Sequence, residues 1–278
     1  MTKDRIDRRF AALKAENRAG FVTYIMAGDP DAATTLSVLK GLPGAGADLI
    51  ELGFPFSDPM AEGPTIQRAA QRGLRSGMTL QGTLDLVAAF REGDQDTPVI
   101  LMGYLNPVLH RGFDSFAAAA NTAGVDGLII VDCPPEEADP LSDALEAEGI
   151  ALIRLAAPTT DDARLPMVIR RTSGFVYYVS VAGVTGVKSA DAADVAPAVE
   201  RLRKASGLPV AVGFGIRTPD QAAAVARIAD AAVVGSALVD EIESAAQLNE
   251  NVTEKVLLKA SELAKAVRSA RVGHEVRL

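Results

Sequence analysis

Eight short apolar runs recur along the whole chain, and their regular spacing limits the folds that the sequence can adopt. Most of the runs do not alternate polar and apolar residues, which is typical of parallel strands buried on both faces. We therefore predict eight parallel strands. The runs are Phe21–Met26, Asp48–Leu52, Pro98–Met102, Gly127–Val131, Ile150–Leu155, Gly174–Val179, Leu208–Val212 and Asp230–Val234.

The segments between these runs carry helical signals. Ile66, Ala69, Ala70 and Leu74 fall on one helical face, and Thr218–Gln221 has the pattern of a capped helix start with proline at its first position. Eight strand–helix units with right-handed crossovers close into a (β/α)8 barrel, the TIM-barrel fold. A doubly wound open sheet is the alternative.

The chain of 278 residues has a normal length for one such barrel, and no linker or low-complexity tract divides it. We therefore expect one domain over residues 1–278. Lys3–Asn17 is expected to form an extra helix that closes the bottom of the barrel. The segment after Gly235 is expected to be a helical tail, with Leu257, Ala260, Leu263 and Val267 on one face.

Composition excludes several classes of function. The net charge is −8 and no basic stripe is present, which argues against nucleic acid as a partner. Cys133 is the only cysteine, so no disulfide can form within the chain. With His110 and His274 as the only histidines, no recognisable metal-ligand set exists. No signal peptide or membrane span is apparent, and we expect a cytoplasmic protein.

Glu51 is the first candidate for chemistry, because it lies within the otherwise apolar second run, near the end of the predicted strand. Active sites of TIM barrels form at the carboxyl ends of the strands. Burial there would raise the pKa of a carboxyl group toward the range that is useful for proton transfer. The alternative is a structural carboxylate that is hydrogen-bonded to a neighbouring strand. The following loop adds Asp58 and Glu62 as acidic candidates, although Asp58 could simply form a turn before Pro59.

Three glycine clusters follow the last three predicted strands: Ala182–Gly186, Gly213–Ile216 and Gly235–Ser236. Glycines let the backbone approach a ligand, and the start of a helix favours an anion. The loops after strands 7 and 8 are the usual phosphate site of this fold. The clusters therefore predict a phosphorylated substrate that is held by backbone amides, with ordinary tight turns as the alternative.

The remaining candidates are aromatic or sulfur-containing. Tyr24, Tyr104 and Tyr177 lie at or near strand ends, where they could be core residues or the walls of a pocket for a planar aromatic substrate. Cys133 lacks a matched base and is interpreted as a small packed residue.

Glu51–Pro59, followed by Gly63–Gln67, closely resembles the signature of the tryptophan synthase α subunit family. The resemblance extends along nearly the whole chain. The other segments that resemble loops of the family are Ala27–Pro30, Tyr104–Pro107, Asp132–Glu137, Ala182–Gly186, Gly213–Ile216 and Gly235–Ser236.

The resemblance implies a retro-aldol cleavage of indole-3-glycerol phosphate to indole and glyceraldehyde 3-phosphate. It implies that Glu51 protonates the substituted ring carbon and then takes the proton of the side-chain hydroxyl. A second carboxylate, Glu62 by position, would accept a hydrogen bond from the ring N–H. The implied substrate-binding residues are Tyr24, Tyr104, Tyr177, Thr185 and Phe214, and the implied phosphate-binding residues are Gly186, Gly213, Gly215, Gly235 and Ser236.

The resemblance also implies a partner. The family docks on a β subunit in an αββα tetramer and passes indole to it through a tunnel. Pyridoxal phosphate would belong to that subunit, and neither a metal nor a cofactor is expected on this chain. The positions that match the contact surface are Pro55, Asp58, Pro59, Asn106 and Pro134.

Two positions depart from the family pattern. Glu62 replaces the usual aspartate and adds a methylene, and a displacement of about 1 Å can be costly in catalysis. Val181 stands where members often carry arginine, while Thr185 remains available to bond Glu62. The alternatives that stay open are a non-catalytic regulatory subunit, a phosphate-binding barrel isomerase, and a lyase that works without a β subunit.

Overall fold

The computed structural model describes residues 4–179, 192–213 and 215–272, which form a ring of parallel strands surrounded by helices. The order of the strands around the sheet is β5-β4-β3-β2-β1-β9-β8-β7-β6. The strands are β1 (Gly20–Met26), β2 (Leu49–Gly53), β3 (Val99–Gly103), β4 (Gly127–Ile130), β5 (Ala151–Leu152), β6 (Arg154–Ala156), β7 (Val176–Val179), β8 (Val210–Gly213) and β9 (Ala231–Val234).

The ring closes at a single residue. β5 pairs with β4 and β6 pairs with β7, yet Ile153 alone separates β5 from β6. The N–H of Ile153 donates to the carbonyl of Leu128 at 3.0 Å. The two ends of the strand order are therefore one continuous piece of chain. The (β/α)8 barrel is confirmed, and the open-sheet alternative is wrong.

Each of the eight predicted runs overlaps a strand of the barrel, with one correction. The fifth run, Ile150–Leu155, is divided into β5 and β6. The division arises because this run changes its hydrogen-bonding partner at Ile153, from β4 on one side to β7 on the other.

Helices fill the connections and extend both ends of the chain. The expected first helix and helical tail are present, the latter as two helices. The helices are α1 (Asp4–Ala15), α2 (Ala32–Gly41), α3 (Pro64–Arg75), α4 (Leu80–Arg91), α5 (Leu105–Arg111), α6 (Phe113–Ala123), α7 (Asp139–Ala147), α8 (Leu165–Ile169), α9 (Ala192–Ser206), α10 (Pro219–Ile228), α11 (Ser236–Gln247) and α12 (Val252–Ser269), with a short 3-10 helix at Pro135–Glu137.

The interior of the ring is a packed apolar core that α1 closes from below. Ile6, Phe10 and Leu13 of α1 form one buried cluster with lumen residues from the strands. The rings of Phe10 and Phe175 lie 5.6 Å apart between centroids. A Cβ added to Gly20, where β1 begins, would lie 2.9 Å from Leu13, so α1 covers the amino ends of the strands. The predicted bottom helix is confirmed, and the opposite end of the lumen is left for chemistry.

Phe10→Ala should lower the free energy of unfolding by about 3–5 kcal/mol, because it leaves a cavity beneath the lumen. Phe10→Leu, which retains most of the apolar volume, should cost less than about 1.5 kcal/mol. Urea titration followed by circular dichroism measures both values. Equal losses in the two variants would contradict a tightly packed closure.

Candidate active site

Glu51 points into the lumen. Leu49, two residues earlier on β2, belongs to the buried cluster inside the ring, and side chains two apart on a strand share a face. The register places Glu51 beside Tyr24 on one side and Ile100 on the other. Its side chain is fully buried. Neither carboxylate oxygen has a hydrogen-bond partner among the described residues, whereas the structural alternative requires one.

Burial without a partner changes the proton affinity of Glu51. Desolvation, followed by the negative charge of Glu62, raises its pKa from 4.5 to about 8. The carboxyl group therefore carries a proton at neutral pH and can donate it. It also becomes a useful base once that proton has been given away.

Glu62 is the second acidic group at this site, and it lies in the loop after β2, close enough for its charge to act on Glu51. Its side chain is half-buried, and burial raises its pKa to about 7. Since the charge of Glu62 acts on Glu51, Tyr24 and Tyr177, all four groups face one space.

Tyr104 holds the loop that carries Glu62. Its hydroxyl oxygen accepts the N–H of Ala61 at 2.9 Å, and its ring stacks on Phe56 with 5.3 Å between centroids. At Glu62 itself, the backbone carbonyl accepts a hydrogen bond from the side-chain amide of Gln67 at 2.9 Å. These contacts fix the backbone on both sides of the second carboxylate.

Tyr24 and Tyr177 face the acidic pair from β1 and β7. A Cβ on Gly53 would lie 2.3 Å from the hydroxyl of Tyr24, and a Cβ on Gly213 would lie 2.3 Å from the hydroxyl of Tyr177. These glycines thus make room for the two phenols. Burial, and then the nearby glutamates, raises the pKa of both tyrosines, so they stay protonated as neutral donors.

Three further apolar side chains, which were not predicted as site residues, also line this space. Met102, Val131 and Leu155 pack on the lumen cluster as partly buried residues. Each follows a lumen residue by two positions, so the period of two along a strand could have identified them. They provide an apolar wall for a planar ring.

The predicted phosphate residues that the structure describes lie at the ends of β8 and β9. Gly213 ends β8, and Gly215 follows with a φ of +61°, a conformation that favours glycine. Gly235 precedes α11, whose first residue is Ser236 and which has no side-chain cap. Its first amides are therefore suited to an anion. Thr185, Gly186, Phe214 and Val181 lie outside the described residues.

Asp240 links the phosphate region to the loop of Glu62. It accepts hydrogen bonds from the hydroxyl of Thr65 at 2.9 Å and from the guanidinium of Arg217 at 2.6 Å. Thr65 stands three residues after Glu62, and Arg217 two residues after Gly215. One carboxylate on α11 therefore connects both halves of the site.

The predicted partner contacts surround the same end of the barrel. Asp58, Asn106 and Pro134 are exposed and Pro59 is half-buried, but Pro55 is buried and lies against Gly73 of α3. Pro55 can therefore shape the loop but offers little surface. Two apolar side chains beside these positions were not predicted: Met60 is 80% exposed and Leu109 is 57% exposed.

The described part of the chain shows neither a cluster of metal-binding side chains nor a helix that could span a membrane. It holds no group of three histidine, cysteine, aspartate or glutamate side chains that could bind a metal ion. No helix in it is both long enough and apolar enough to cross a membrane. The fold and the site together define the class: a TIM-barrel enzyme with an acidic pair in the lumen, and with glycine-bearing strand ends where the sequence predicts a phosphate site.

Comparison with known proteins identifies the family. Residues 10–268 match the family model described as tryptophan synthase alpha chain. Tryptophan synthase alpha chains of Caulobacter vibrioides strains are 95% identical over 273 residues, which is 98% of this chain and 99% of theirs. That of Phenylobacterium zucineum is 72% identical over 275 residues, 99% of each chain.

Solved structures of tryptophan synthase alpha chains have a similar fold. The tryptophan synthase subunit alpha of Legionella pneumophila is 42% identical with a TM-score of 0.88, covering 95% of this chain and 98% of that one. A tryptophan synthase structure from M. tuberculosis in an aminoacrylate-bound form is 34% identical with a TM-score of 0.84, covering 95% and 99%. The chain belongs to the tryptophan synthase alpha chain family.

It is accordingly a lyase of tryptophan biosynthesis. The alpha chain cleaves indole-3-glycerol phosphate and supplies the indole to a β subunit. It needs no cofactor of its own, since pyridoxal phosphate belongs to the β subunit. The barrel-isomerase alternative is therefore wrong.

Proposed function

We propose that Glu51 and Glu62 carry out the retro-aldol reaction together in the lumen of the barrel. In this proposal the whole chain forms one barrel domain, and the protein works in the cytoplasm. The observation that carries this proposal is the raised pKa of a fully buried Glu51 with no hydrogen-bond partner among the described residues. An acid that is still protonated at neutral pH is what the first step of this cleavage requires.

In the first step the carboxyl group of Glu51 gives its proton to the ring carbon that bears the glycerol phosphate chain. The ring becomes an indolenine-like cation with its positive charge centred on nitrogen. Glu62, as a carboxylate, accepts the hydrogen bond from the ring N–H and stabilises that charge. Its pKa of about 7 leaves much of it ionised at neutral pH.

In the second step the Glu51 carboxylate takes the proton of the side-chain hydroxyl. The oxygen forms a carbonyl, the carbon–carbon bond breaks, and its electron pair returns to the ring to neutralise the nitrogen. The products are indole and glyceraldehyde 3-phosphate, and Glu51 regains its proton. One group can serve twice because its pKa lies close to the working pH.

The surrounding residues bind and orient the substrate in this proposal. Tyr24, Tyr104 and Tyr177 border the indole ring together with Met102 and Leu155, on the evidence of their position around the acidic pair. Backbone amides at Gly213, Gly215, Gly235 and Ser236 hold the phosphate. By family resemblance, Thr185, Gly186 and Phe214 complete the substrate contacts.

Glu51→Gln should reduce the release of indole from indole-3-glycerol phosphate by at least about 10³-fold, because the amide can neither give nor accept the proton. Indole is measured in the presence and absence of a β subunit. Glu51→Gln should still activate the β subunit, which shows that it is folded. Near-native turnover in the variant would refute the assignment. Partner activation by the native chain without any indole release would favour the regulatory alternative.

The dependence of kcat/KM on pH should be bell-shaped. Activity rises as Glu62 ionises near pH 7 and falls as Glu51 loses its proton near pH 8. Glu62→Gln should lower the maximum and shift the alkaline limb to lower pH, because removing the negative charge lowers the pKa of Glu51. Glu62→Asp serves as the control: it keeps the negative charge and should therefore keep both limbs of the pH profile. An alkaline limb that does not move in Glu62→Gln would contradict the coupling of the two groups.

The exposed rim around Met60 supports docking of the β subunit on the face that carries the site. Met60→Asp should weaken binding of the β subunit at least tenfold, because a charge would replace an apolar side chain in the buried interface. Leu258→Asp is the matched control, since Leu258 is 61% exposed on α12. Analytical ultracentrifugation measures both affinities, and equal binding by the two variants would exclude this rim.

A further inference from the structure

A cavity of about 340 Å³ lies between the ends of β4 and β6, outside the acidic pair and the phosphate region. The loop after β4 and the helix α8 complete its walls. Its apolar lining includes Ile130, Val131, Leu155 and Val168, and its polar lining is Asp132, Cys133, Arg154, Thr160 and Arg164.

Arg154 is the unusual member of this lining. It is 6% exposed, and its Nη1 donates to the carbonyl of Cys133 at 3.2 Å. Its Nε has no acceptor among the described residues. Arg91 is equally buried, but it is paired with the carboxylate of Asp126 at 2.6 Å. Over the same described residues, no carboxylate forms an ion pair with Arg154.

Neighbouring carboxylates act on Arg154 only from a distance, since none among the described residues pairs with it directly. Burial raises the pKa of the Cys133 thiol, which is therefore neutral at pH 7. Burial also lowers the pKa of Arg154, but a guanidinium remains protonated in proteins. A buried cation without a counter-charge is costly, and an anion bound in the cavity would offset that cost.

The carboxylates near the cavity have other partners. Asp132 accepts the N–H of Leu105 at 2.7 Å. Glu136 pairs with Arg164 at 2.7 Å, and Asp139 with Arg170 at 2.8 Å. Arg91 shows that this fold can supply a counter-ion to a buried arginine, whereas Asp132, the carboxylate in the cavity lining, forms no ion pair with Arg154 among the described residues.

We infer that this cavity is a binding site for a small oxyanion, a carboxylate or a phosphate group, which Arg154 holds through its guanidinium. A planar guanidinium can present two parallel N–H donors to such a group. Thr160 lies beside Arg154 in the lining; its hydroxyl oxygen accepts the N–H of Ala157, which leaves the hydroxyl proton to donate. Arg164 lines the exposed mouth, where its charge is paired with that of Glu136.

This site is distinct from the predicted phosphate loops. The loops follow β8 and β9, and β7 lies between β6 and β8 in the ring. Within β6, Leu155 faces the lumen, so the adjacent Arg154 faces the helix layer. Arg154 therefore lies on the opposite face of the sheet from the lumen, although Val131 and Leu155 in the cavity lining also border the lumen.

Selenate is a suitable probe, because its anomalous scattering locates it in crystals of the intact chain. We expect one selenate against Arg154 in addition to any at the start of α11. In solution, isothermal titration with inorganic phosphate and with acetate separates tetrahedral from planar oxyanions. Arg154→Met should weaken the corresponding binding event at least tenfold, and it should abolish the selenate peak in the cavity while leaving any peak at α11.

Arg75→Met is the matched control, since it removes the same charge from an exposed position and should leave binding unchanged. If Arg154→Met fails to fold, Arg154→Lys replaces it; this variant keeps the charge but loses the two-point contact, and should bind about threefold to tenfold more weakly. Selenate found only at α11 would overturn the inference. A selenate peak in the cavity without Arg154-dependent binding in solution would also overturn the inference, because it would indicate an adventitious ion only.

Discussion

Closure of the parallel strands into a ring is the constraint on which the rest of the molecule depends. In a closed ring, alternate side chains of every strand must enter one shared lumen. The lower layers of that lumen are apolar and are closed by Ile6, Phe10 and Leu13. The upper layer carries Glu51, so the geometry that buries the core also removes the acidic group from water. The ring becomes complete where Ile153 passes the chain from one neighbouring strand to the other.

Desolvation gives this site its chemistry without a metal or an organic cofactor. The same burial that raises the pKa of Glu51 also keeps Tyr24 and Tyr177 in their neutral forms. The site thus combines a proton donor with neutral phenols and an ionisable Glu62. Glu62, which by resemblance stands where the family usually has aspartate, lies in a loop that is held by Tyr104. The cleavage needs a proton to be given and then taken back, and in the proposed mechanism the carboxyl group of Glu51 does both.

Local patterns in the sequence were sufficient for the barrel, its bottom helix and the placement of Glu51, because strand periodicity and apolar runs are local properties. Contacts between distant positions were not predictable in this way. The hydrogen bond from Ala61 to Tyr104 joins residues 43 apart, and that from Thr65 to Asp240 joins residues 175 apart. The break at Ile153 and the burial of Pro55 likewise depend on which neighbours meet in space. The roles of Thr185, Gly186 and Phe214 stay predictions.

The short separation between Met60 and Glu62 has a thermodynamic consequence. Met60 is a solvent-facing side chain, and Glu62, two residues further on, contributes its charge to the interior. Any partner that repositions Met60 also moves the backbone that carries Glu62. The free energy of docking and the free energy of substrate binding therefore both depend on the position of this segment. Linkage requires such coupling to be reciprocal. If the β subunit tightens substrate binding by some factor, bound substrate must tighten the attachment of the β subunit by the same factor.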